Sequence, residues 1–305
     1  MRRAFDVSTD PTFSLLRDRL AEGCTALADK PEETPESTLR ALWHTAAGQP
    51  KSAVAAYADL PALDEAGVAR LHALIDRRLS GVPLAHLTHR QDFLGMEMLA
   101  GSDALVPRKE TELLGRAAIE LAQELASRSA DSAPRVIDVC TGCGNIALAI
   151  AQHVPSARVF CADLSEDAIA LARRNADWLG LGERVEFRVG DLLVPFDAPE
   201  FQASVDLITC NPPYISSGKV GQMAPEIAAH EPRLAFDGGP LGVSILMRLL
   251  QEAPRFLAPG GGLAFEVGLG QGPALMRRLQ GTPFAGQARA LTDANGDVRA
   301  IVARC

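Results

Sequence analysis

Apolar residues recur at helical spacing along the first 90 or so of the chain's 305 residues. In one such segment Asp64 can cap the start of a helix and Gly81 can end it. The apolar positions between them are Val68, Leu71, Leu74, Ile75 and Leu79. Segments 12–28 and 35–49 have the same periodicity. The pattern predicts a small all-helical domain over residues 1–90.

The pattern changes over residues 91–107, where short apolar stretches are interrupted by Gly95 and Gly101. Glycine-punctuated apolar stretches of this length are typical of a β-hairpin. We therefore expect a hairpin linker between two domains.

From residue 108 onward, short buried runs typical of strands alternate with longer amphipathic segments typical of helices. The predicted strands are RVIDVC, ARVFCADL, VEFRVGDLL, VDLITC, GGLAFEVG and a closing pair around residues 295–296. This alternation predicts an α/β domain over residues 108–305, with a mostly parallel sheet between two helical layers. Ligands of such sheets bind where the carboxyl ends of the strands meet.

A glycine-containing turn follows the first of these strands. Its residues are Cys140, Thr141, Gly142, Cys143 and Gly144. The two glycines allow a sharp reversal and a close approach of ligand to backbone. Ala147 stands where a dinucleotide motif would have its last glycine, which favours a nucleoside without phosphates.

Acidic residues end the next two strands. Asp163 can accept hydrogen bonds from both hydroxyls of a ribose, Asp191 can meet the exocyclic amine of an adenine, and Leu192 can pack on the base. The alternative is that each carboxylate only caps the turn that follows it. Two of them at successive strand ends favour a site for S-adenosylmethionine.

The tetrapeptide Asn211-Pro212-Pro213-Tyr214 follows the fourth strand. The prolines restrict the backbone and hold the Asn211 side chain in place, and Tyr214 offers a flat ring. Such a loop is typical of methyltransferases that act on a planar nitrogen, either of an amide or of a nucleic-acid base. We expect the Asn211 side-chain oxygen and the Pro212 carbonyl to accept hydrogen bonds from the substrate NH2.

Composition limits the remaining classes of function. The net charge of −8 offers no general attraction for phosphates, so we expect no direct nucleic-acid binding. No apolar run is long enough to span a membrane, and six cysteines are too few for a disulfide scaffold, which favours the cytoplasm. Cys140, Cys143, Cys161 and Cys210 could in principle hold a metal near the turn. Their spacing matches no zinc motif, and we expect apolar filling and no metal.

Several segments, in order and spacing, resemble the HemK-type (PrmC-like) family of protein glutamine N5-methyltransferases. They are VPRKETELL, VIDVCTGCGNIALAIA, CADLSEDAIALARRNA, NPPYI, HEPRLAFDGGPLGVSI and LAPGGGLAFEVGLGQG. The resemblance implies a Rossmann-like class I methyltransferase with a seven-stranded sheet and S-adenosylmethionine as methyl donor. It implies as acceptor the glutamine of a Gly-Gly-Gln loop in a peptide chain release factor, which would dock on the helical domain. It also places residues 140–144, Asp163, Asp191, Leu192 and Asn211 at the cofactor, and residues 211–214 at the glutamine. We expect a monomer.

The chain departs from the family's pattern at three positions outside the cofactor motifs: Val82, His89 and Lys109. These departures keep a ribosomal-protein glutamine or a small biosynthetic molecule open as acceptor. More distant alternatives are an adenine N6 nucleic-acid methyltransferase, which uses a similar loop for a flipped base, and a binding protein without turnover.

Overall fold

The computed structural model of the protein describes residues 11–24, 30–128, 133–221 and 230–305. One compact unit contains the described residues up to Ser102 together with His230, and a second contains the other described residues from Asp103 onward. None of the helices in the described residues is both long and apolar enough to cross a membrane.

The first unit is built mainly of helices. They are α1 (Pro11–Gly23), α2 (Pro35–Ala46), α3 (Glu65–Leu79) and α4 (Leu84–Thr88). The Asp64 carboxylate accepts a hydrogen bond from the Gly67 amide at 2.6 Å, which confirms the predicted start of α3. The helix predicted over 12–28 is present up to Gly23, and residues 25–28 of that prediction lie outside the described residues.

The core of this unit lies between α1, α2 and α3. Its fully buried members include Leu20, Leu39, Leu42 and Ile75. Val68 differs from the expectation, because 44% of it is exposed. It lies at the edge of the buried stripe of α3, in the first turn of the helix.

Residues 90–99 form an antiparallel hairpin within the first unit, with strands β1 (Arg90–Phe93) and β2 (Met96–Leu99). Leu94 and Gly95 form the turn with φ of 53° and 80°, the left-handed values of a two-residue turn that matches strand twist. The domain boundaries at residues 90 and 107, and the role of 91–107 as a linker, stay predictions.

The second unit contains a seven-stranded sheet, as expected from the sequence. Its strands are β3 (Arg135–Val139), β4 (Arg158–Asp163), β5 (Val185–Val189), β6 (Val205–Cys210), β7 (Leu257–Glu266), β8 (Arg289–Thr292) and β9 (Val298–Arg304). Their order is β5-β4-β3-β6-β7-β9-β8, and β9 alone runs antiparallel to its neighbours.

Helices cover the sheet. They are α5 (Thr111–Ala126), α6 (Asn145–His153), α7 (Glu166–Trp178), Ser244–Glu252 and Gly272–Leu279, with a short helix at Ser217–Val220. Fully buried Ile137, Ile208 and Leu263 lie in register on adjacent strands and form the centre of the sheet. The strand order reverses at β3, between β4 and β6, so a crevice opens there at the carboxyl ends.

Candidate active site

The turn after β3 has the sharp backbone reversal that its glycines predict. Cys140 and Gly142 both have φ of 55°, and Gly144 has φ of 84° immediately before α6. A Cβ at Gly144 would lie only 3.2 Å from the Cβ of Ala172, so both the positive φ and the tight contact favour glycine at this position. No atom lies within 4 Å of the Cβ position at Gly142, which leaves its backbone open to a ligand.

Asp163 ends β4 and is hydrogen-bonded to this turn. Its Oδ2 accepts from the Gly142 amide at 2.8 Å, and its Oδ1 accepts from the Ser165 amide at 2.9 Å. Burial raises the pKa of the Asp163 carboxyl, and hydrogen bonds from these backbone amides act in the opposite direction. The carboxylate is therefore held rigidly beside the open backbone of Gly142.

A second carboxylate, Asp138, lies beneath the turn and is almost fully buried. Its two oxygens accept hydrogen bonds from the hydroxyls of Thr141, at 2.5 Å, and Thr209, at 2.6 Å. Burial raises its pKa to about 6, against the effect of these bonds. Asp138 thereby connects the glycine turn to β6, the strand that carries Asn211 at its end.

Asp191 and Leu192 follow β5 at the same edge of the sheet. Asp191 is about half exposed and pairs with Arg248, with 3.0 Å between its Oδ2 and the guanidinium. Leu192 is buried and has φ of 46°, an uncommon value for a branched residue. The turn therefore holds an apolar side chain beside a carboxylate, as an adenine site requires.

The Asn211–Tyr214 loop packs closely against a glycine-rich segment. A Cβ at Gly238 would collide with the carbonyl of Pro213, and one at Gly242 would collide with the carbonyl of Tyr214. The Tyr214 carbonyl also accepts a hydrogen bond from Gln271 Nε2 at 3.0 Å. This close approach explains two glycines of FDGGPLG, Gly238 and Gly242, since only glycine leaves room for the loop at these positions.

The Asn211 side chain is oriented by α5. Its Nδ2 donates to the Thr111 hydroxyl at 3.3 Å, and Thr111 is buried. Asn211 also lines the cavity at the carboxyl ends of the strands. Because the nitrogen is directed to Thr111, the amide oxygen remains available on the cavity side.

Glu266, the last residue of β7, lies behind the same loop and is 2% exposed. Burial raises its pKa to about 7, against the opposing influence of the nearby Thr111 hydroxyl, the positive charge of Arg299 and the Tyr214 hydroxyl. Burial, and then the charge of Glu266, raise the pKa of the Tyr214 phenol. Glu266 therefore contributes to the electrostatic environment of the Tyr214 phenol.

Residues 103–108 form another wall of the site. The Arg108 guanidinium pairs with Glu231 at 2.5 Å, and the other Glu231 oxygen accepts from the Val106 amide at 3.0 Å. Both charged side chains are buried. Breaking such a pair by removing one partner strongly destabilises a protein, so this wall is firmly held.

These elements enclose a cavity of about 970 Å³, including the part open to solvent. The predicted site residues that line it are Cys140, Thr141, Gly142, Cys143, Asp163, Asp191, Leu192, Asn211 and Pro213. Gly144, Pro212 and Tyr214 lie outside the lining, in the supporting structure. Among the described lining residues the only cationic side chain is Arg108, which is already paired.

The cysteines around the turn are free thiols in the described structure. Burial raises the pKa of Cys143 to about 12 and puts those of Cys161 and Cys210 well above their ordinary value. Such thiols are poor nucleophiles and poor metal ligands. Among the described residues no cluster of three or more His, Cys, Asp or Glu side chains could hold a metal ion.

Sequence reasoning missed the polar residues that support the site: Thr111, Asp138, Thr209, Glu231 and Glu266. Asp138 and Glu266 interrupt the apolar runs VIDVC and LAFEVG; Asp138 lies one residue before the end of β3, and Glu266 is the last residue of β7. A charged residue in a strand buried on both faces is a signal that could have identified them.

Comparison with known protein families gives two matches along the chain. Residues 130–275 match a methyltransferase domain, and residues 18–88 match the PrmC N-terminal domain. The first match covers β3 to β7 and the first turn of the helix that follows, including the strand ends that border the cavity. The second match lies within the helical unit.

The release factor glutamine methyltransferase of Moorella thermoacetica is 34% identical over 85% of this chain and 88% of its own length. This chain belongs to the release factor glutamine methyltransferase family. The family member from Streptomyces coelicolor is 41% identical over 65% of this chain and 67% of its own length. The family member from Deinococcus radiodurans is 34% identical over 95% of this chain and 98% of its own length.

Among solved structures, the catalytic domain of hMettl16 in complex with a 3'UTR hairpin has a TM-score of 0.51. It covers 75% of this chain and 81% of its own, at 15% sequence identity. At this identity the likeness shows the methyltransferase fold alone.

Proposed function

We propose that this protein transfers a methyl group from S-adenosylmethionine to the side-chain amide nitrogen of a glutamine in a peptide chain release factor. The observation that supports this proposal most directly is the orientation of the Asn211 side-chain amide. Its nitrogen is bound to Thr111 and its oxygen is left for a ligand, in the cavity that Asp163 and the glycine turn also line. Family membership supports the choice of substrate, since the curated relatives are named for it.

The residues present fit the methyl donor. Asp163 offers a rigid carboxylate to ribose hydroxyls, Gly142 offers open backbone, and Leu192 offers an apolar surface beside Asp191. The one cation of the described lining, Arg108, is neutralised by Glu231, which disfavours a ligand with several phosphates. When bound, S-adenosylmethionine supplies an electrophilic methyl group on its sulfonium.

The glutamine acceptor requires precise positioning, because the lone pair of an amide nitrogen is delocalised into the carbonyl. The Asn211 oxygen, on the cavity side, accepts a hydrogen bond from the substrate NH2 and turns its lone pair toward the methyl group. Pro212 lies outside the cavity lining, so the proposed role of its carbonyl as a second acceptor for the NH2 concerns the complex with substrate. These acceptors bind more strongly as the nitrogen gains positive character, so they favour the transition state over the substrate. Positioning supplies most of the rate, because the Asn-Pro-Pro-Tyr loop contains no strong base. The amide nitrogen gains the methyl carbon as the bond between that carbon and the sulfonium sulfur breaks, and the nitrogen then releases its extra proton to water.

Tyr214 has a supporting part in this proposal. Its phenol interacts with Glu266, and it lies outside the cavity lining. The expectation that its ring packs on the amide plane therefore concerns the complex with substrate. The helical unit, which contains the match to the PrmC N-terminal domain, is the proposed docking site for the release factor.

The proposal is tested by incubating the protein with isotopically labelled S-adenosylmethionine and a purified release factor, followed by peptide mass spectrometry. We expect one labelled methyl group on the glutamine of the Gly-Gly-Gln loop. The matched control is a release factor with that glutamine replaced by alanine, which should remain unlabelled. Label on a ribosomal protein or on nucleic acid, with none on the release factor, would contradict the proposed substrate.

A further inference from the structure

We propose that Gln271 is a positioning residue that fixes the Tyr214 end of the Asn211–Tyr214 loop and thereby the place of Asn211 beside the substrate amide. This inference rests on the proposed function, since it concerns the loop that receives the glutamine. It assigns a role to a side chain that lies outside the cavity lining and takes no part in the transfer itself.

Gln271 lies in the turn between β7 and the helix Gly272–Leu279. Its backbone amide donates a hydrogen bond to the Gly268 carbonyl at 3.0 Å. The Gly268 amide in turn donates to the side-chain Oε1 of Gln271 at 2.9 Å. These two bonds close the turn and hold the Gln271 side chain in one orientation.

The amide nitrogen of Gln271 reaches two other segments of the chain. Nε2 lies 3.0 Å from the Tyr214 carbonyl oxygen and 3.2 Å from the Gly242 carbonyl oxygen. A primary amide has two N–H groups, so each carbonyl can receive its own hydrogen bond. The placement of nitrogen and oxygen follows from the partners, because two carbonyls can only accept and the Gly268 amide can only donate. One side chain therefore joins the loop, the glycine-rich segment and the turn after β7.

The three segments also pack tightly around this side chain. A Cβ at Gly268 would lie 3.0 Å from Cδ2 of the Tyr214 ring, and a Cβ at Gly242 would lie 3.0 Å from Nε2 of Gln271. Gly242 and Gly268 are both buried. The hydrogen bonds of Gln271 therefore lie in a closely packed region and define the position of the Tyr214 backbone.

The loop is held at both of its ends. Asn211 directly follows β6, which fixes the first end. Just beyond the second end, the Ile215 amide donates to the Phe236 carbonyl at 3.0 Å, and the Ile215 carbonyl accepts from the Gly238 amide at 2.8 Å. The loop and the glycine-rich segment are thus bound to each other, and Gln271 joins the pair to the end of β7, the neighbour of β6. Because the prolines restrict the backbone between the ends, a shift at Tyr214 is passed on to Asn211.

A change of Gln271 to Glu alters the hydrogen bonds and preserves the length of the side chain. An ionised carboxylate has no donor, so its oxygens would face the Tyr214 and Gly242 carbonyls with charge of the same sign. A protonated carboxyl has one O–H donor and regains one of the two bonds. The two carbonyls disfavour the ionised form, which raises the pKa of the introduced carboxyl above that of a free glutamate. Gln271→Met has the same length and removes the side-chain hydrogen bonds at every pH.

The titratable groups around the loop are common to the wild-type protein and these variants. Glu266, Glu110 and Arg299 surround the Tyr214 phenol, and Asp237 accepts hydrogen bonds from Ser217 and the Gly239 amide. Any pH dependence that these groups cause appears in both proteins. The ratio of variant to wild-type rate at each pH therefore isolates the introduced carboxyl.

The test compares single-turnover methyl transfer across acidic to alkaline pH, at saturating S-adenosylmethionine and release factor. At alkaline pH, Gln271→Glu should be roughly tenfold to a hundredfold slower than wild type, the cost of misplacing a reacting group by about 1 Å. The ratio to wild type should rise severalfold as the pH decreases. Gln271→Met should be slowed to a similar degree, with a ratio that does not change with pH.

Two controls separate positioning from general damage. Cofactor affinity, measured by calorimetry, should change less than about twofold in the Gln271 variants, because this side chain lies outside the cavity lining. Gln280→Glu makes the same chemical change at the exposed carboxyl end of the same helix and should keep the wild-type rate at every pH.

Thermal unfolding identifies any variant that does not fold. If Gln271→Met fails to fold, Gln271→Glu is sufficient, since its rates at two pH values are compared with each other. Wild-type rates in folded Gln271→Glu at alkaline pH would overturn the inference. A slowed Gln271→Glu variant whose ratio stays constant with pH would also overturn it. A wild-type protein that labels no release factor would instead refute the proposed function.

Discussion

Replacing Asp163 by Asn should weaken cofactor binding far more than it weakens the fold. The carboxylate accepts from the Gly142 amide with one oxygen and from the Ser165 amide with the other. An Asn side chain has only one acceptor oxygen, so one of these backbone amides loses its partner. The variant also loses the negative charge that the proposed ribose hydroxyls require.

The magnitude follows from these contacts. A hydrogen bond to a charged acceptor contributes about 1.5–3 kcal/mol, which corresponds to roughly 10- to 150-fold in Kd. The folded protein should lose less, because burial raises the pKa of Asp163 and its ionised form is therefore already disfavoured there. For the same reason wild-type affinity should decrease at acidic pH, and the Asp163→Asn variant should lack this dependence.

Calorimetric titration with S-adenosylmethionine measures the effect, and thermal unfolding verifies the fold. The matched control is Asp206→Asn at the opposite edge of the sheet, where the carboxylate also accepts a backbone hydrogen bond, from Arg135 at 2.8 Å. We expect it to keep cofactor affinity. A folded Asp163→Asn variant with undiminished affinity would refute the assignment of the ribose site.

Three further predictions concern the structure around the site. Gly242→Ala places a Cβ against the Tyr214 carbonyl and should displace the Asn211–Tyr214 loop. Turnover should then fall by up to roughly 100-fold while cofactor affinity is kept. Unchanged turnover would show that the loop tolerates the shift. Cys140→Ala should retain methyl transfer, and elemental analysis should find no stoichiometric zinc; bound zinc together with lost activity would contradict the role of this residue as apolar filling. Asp138 has a pKa raised from 3.8 to about 6 in the folded protein, so its contribution to stability is present below pH 3.8 and is lost as the pH rises to about 6. This difference amounts to about 3 kcal/mol, and unfolding of Asp138→Asn at several pH values should lack it.

The sequence predicted the fold well where local signals agree with the tertiary structure. The alternation of strands and helices predicted the sheet, because parallel strands buried on both faces are nearly continuous apolar runs. The Asp64 cap was predicted because its signal lies within one turn of the helix. Val68 was placed incorrectly, since helical spacing selects a broad stripe and tertiary packing decides which of its edges is covered.

The candidate site was predicted as far as it follows strand ends. Asp163 ends a strand, Asn211 directly follows one and Asp191 lies two residues beyond one, and the parallel topology brings all three to one cavity. The contacts of Thr111 and Glu231 join segments about 100 residues or more apart, Thr111 with Asn211 and Glu231 with Arg108. A single sequence carries no local signal for such pairs. Their discovery therefore required the three-dimensional arrangement.

The most direct test of the central claim is the single-turnover rate of methyl transfer by Asn211→Ala at saturating cofactor and release factor. The claim is that the Asn211 oxygen accepts a hydrogen bond from the substrate amide as positive charge develops on its nitrogen. The account predicts a rate lower by about 10² to 10³, with the affinity for S-adenosylmethionine reduced much less. Transfer by a folded Asn211→Ala variant at the wild-type rate would contradict it.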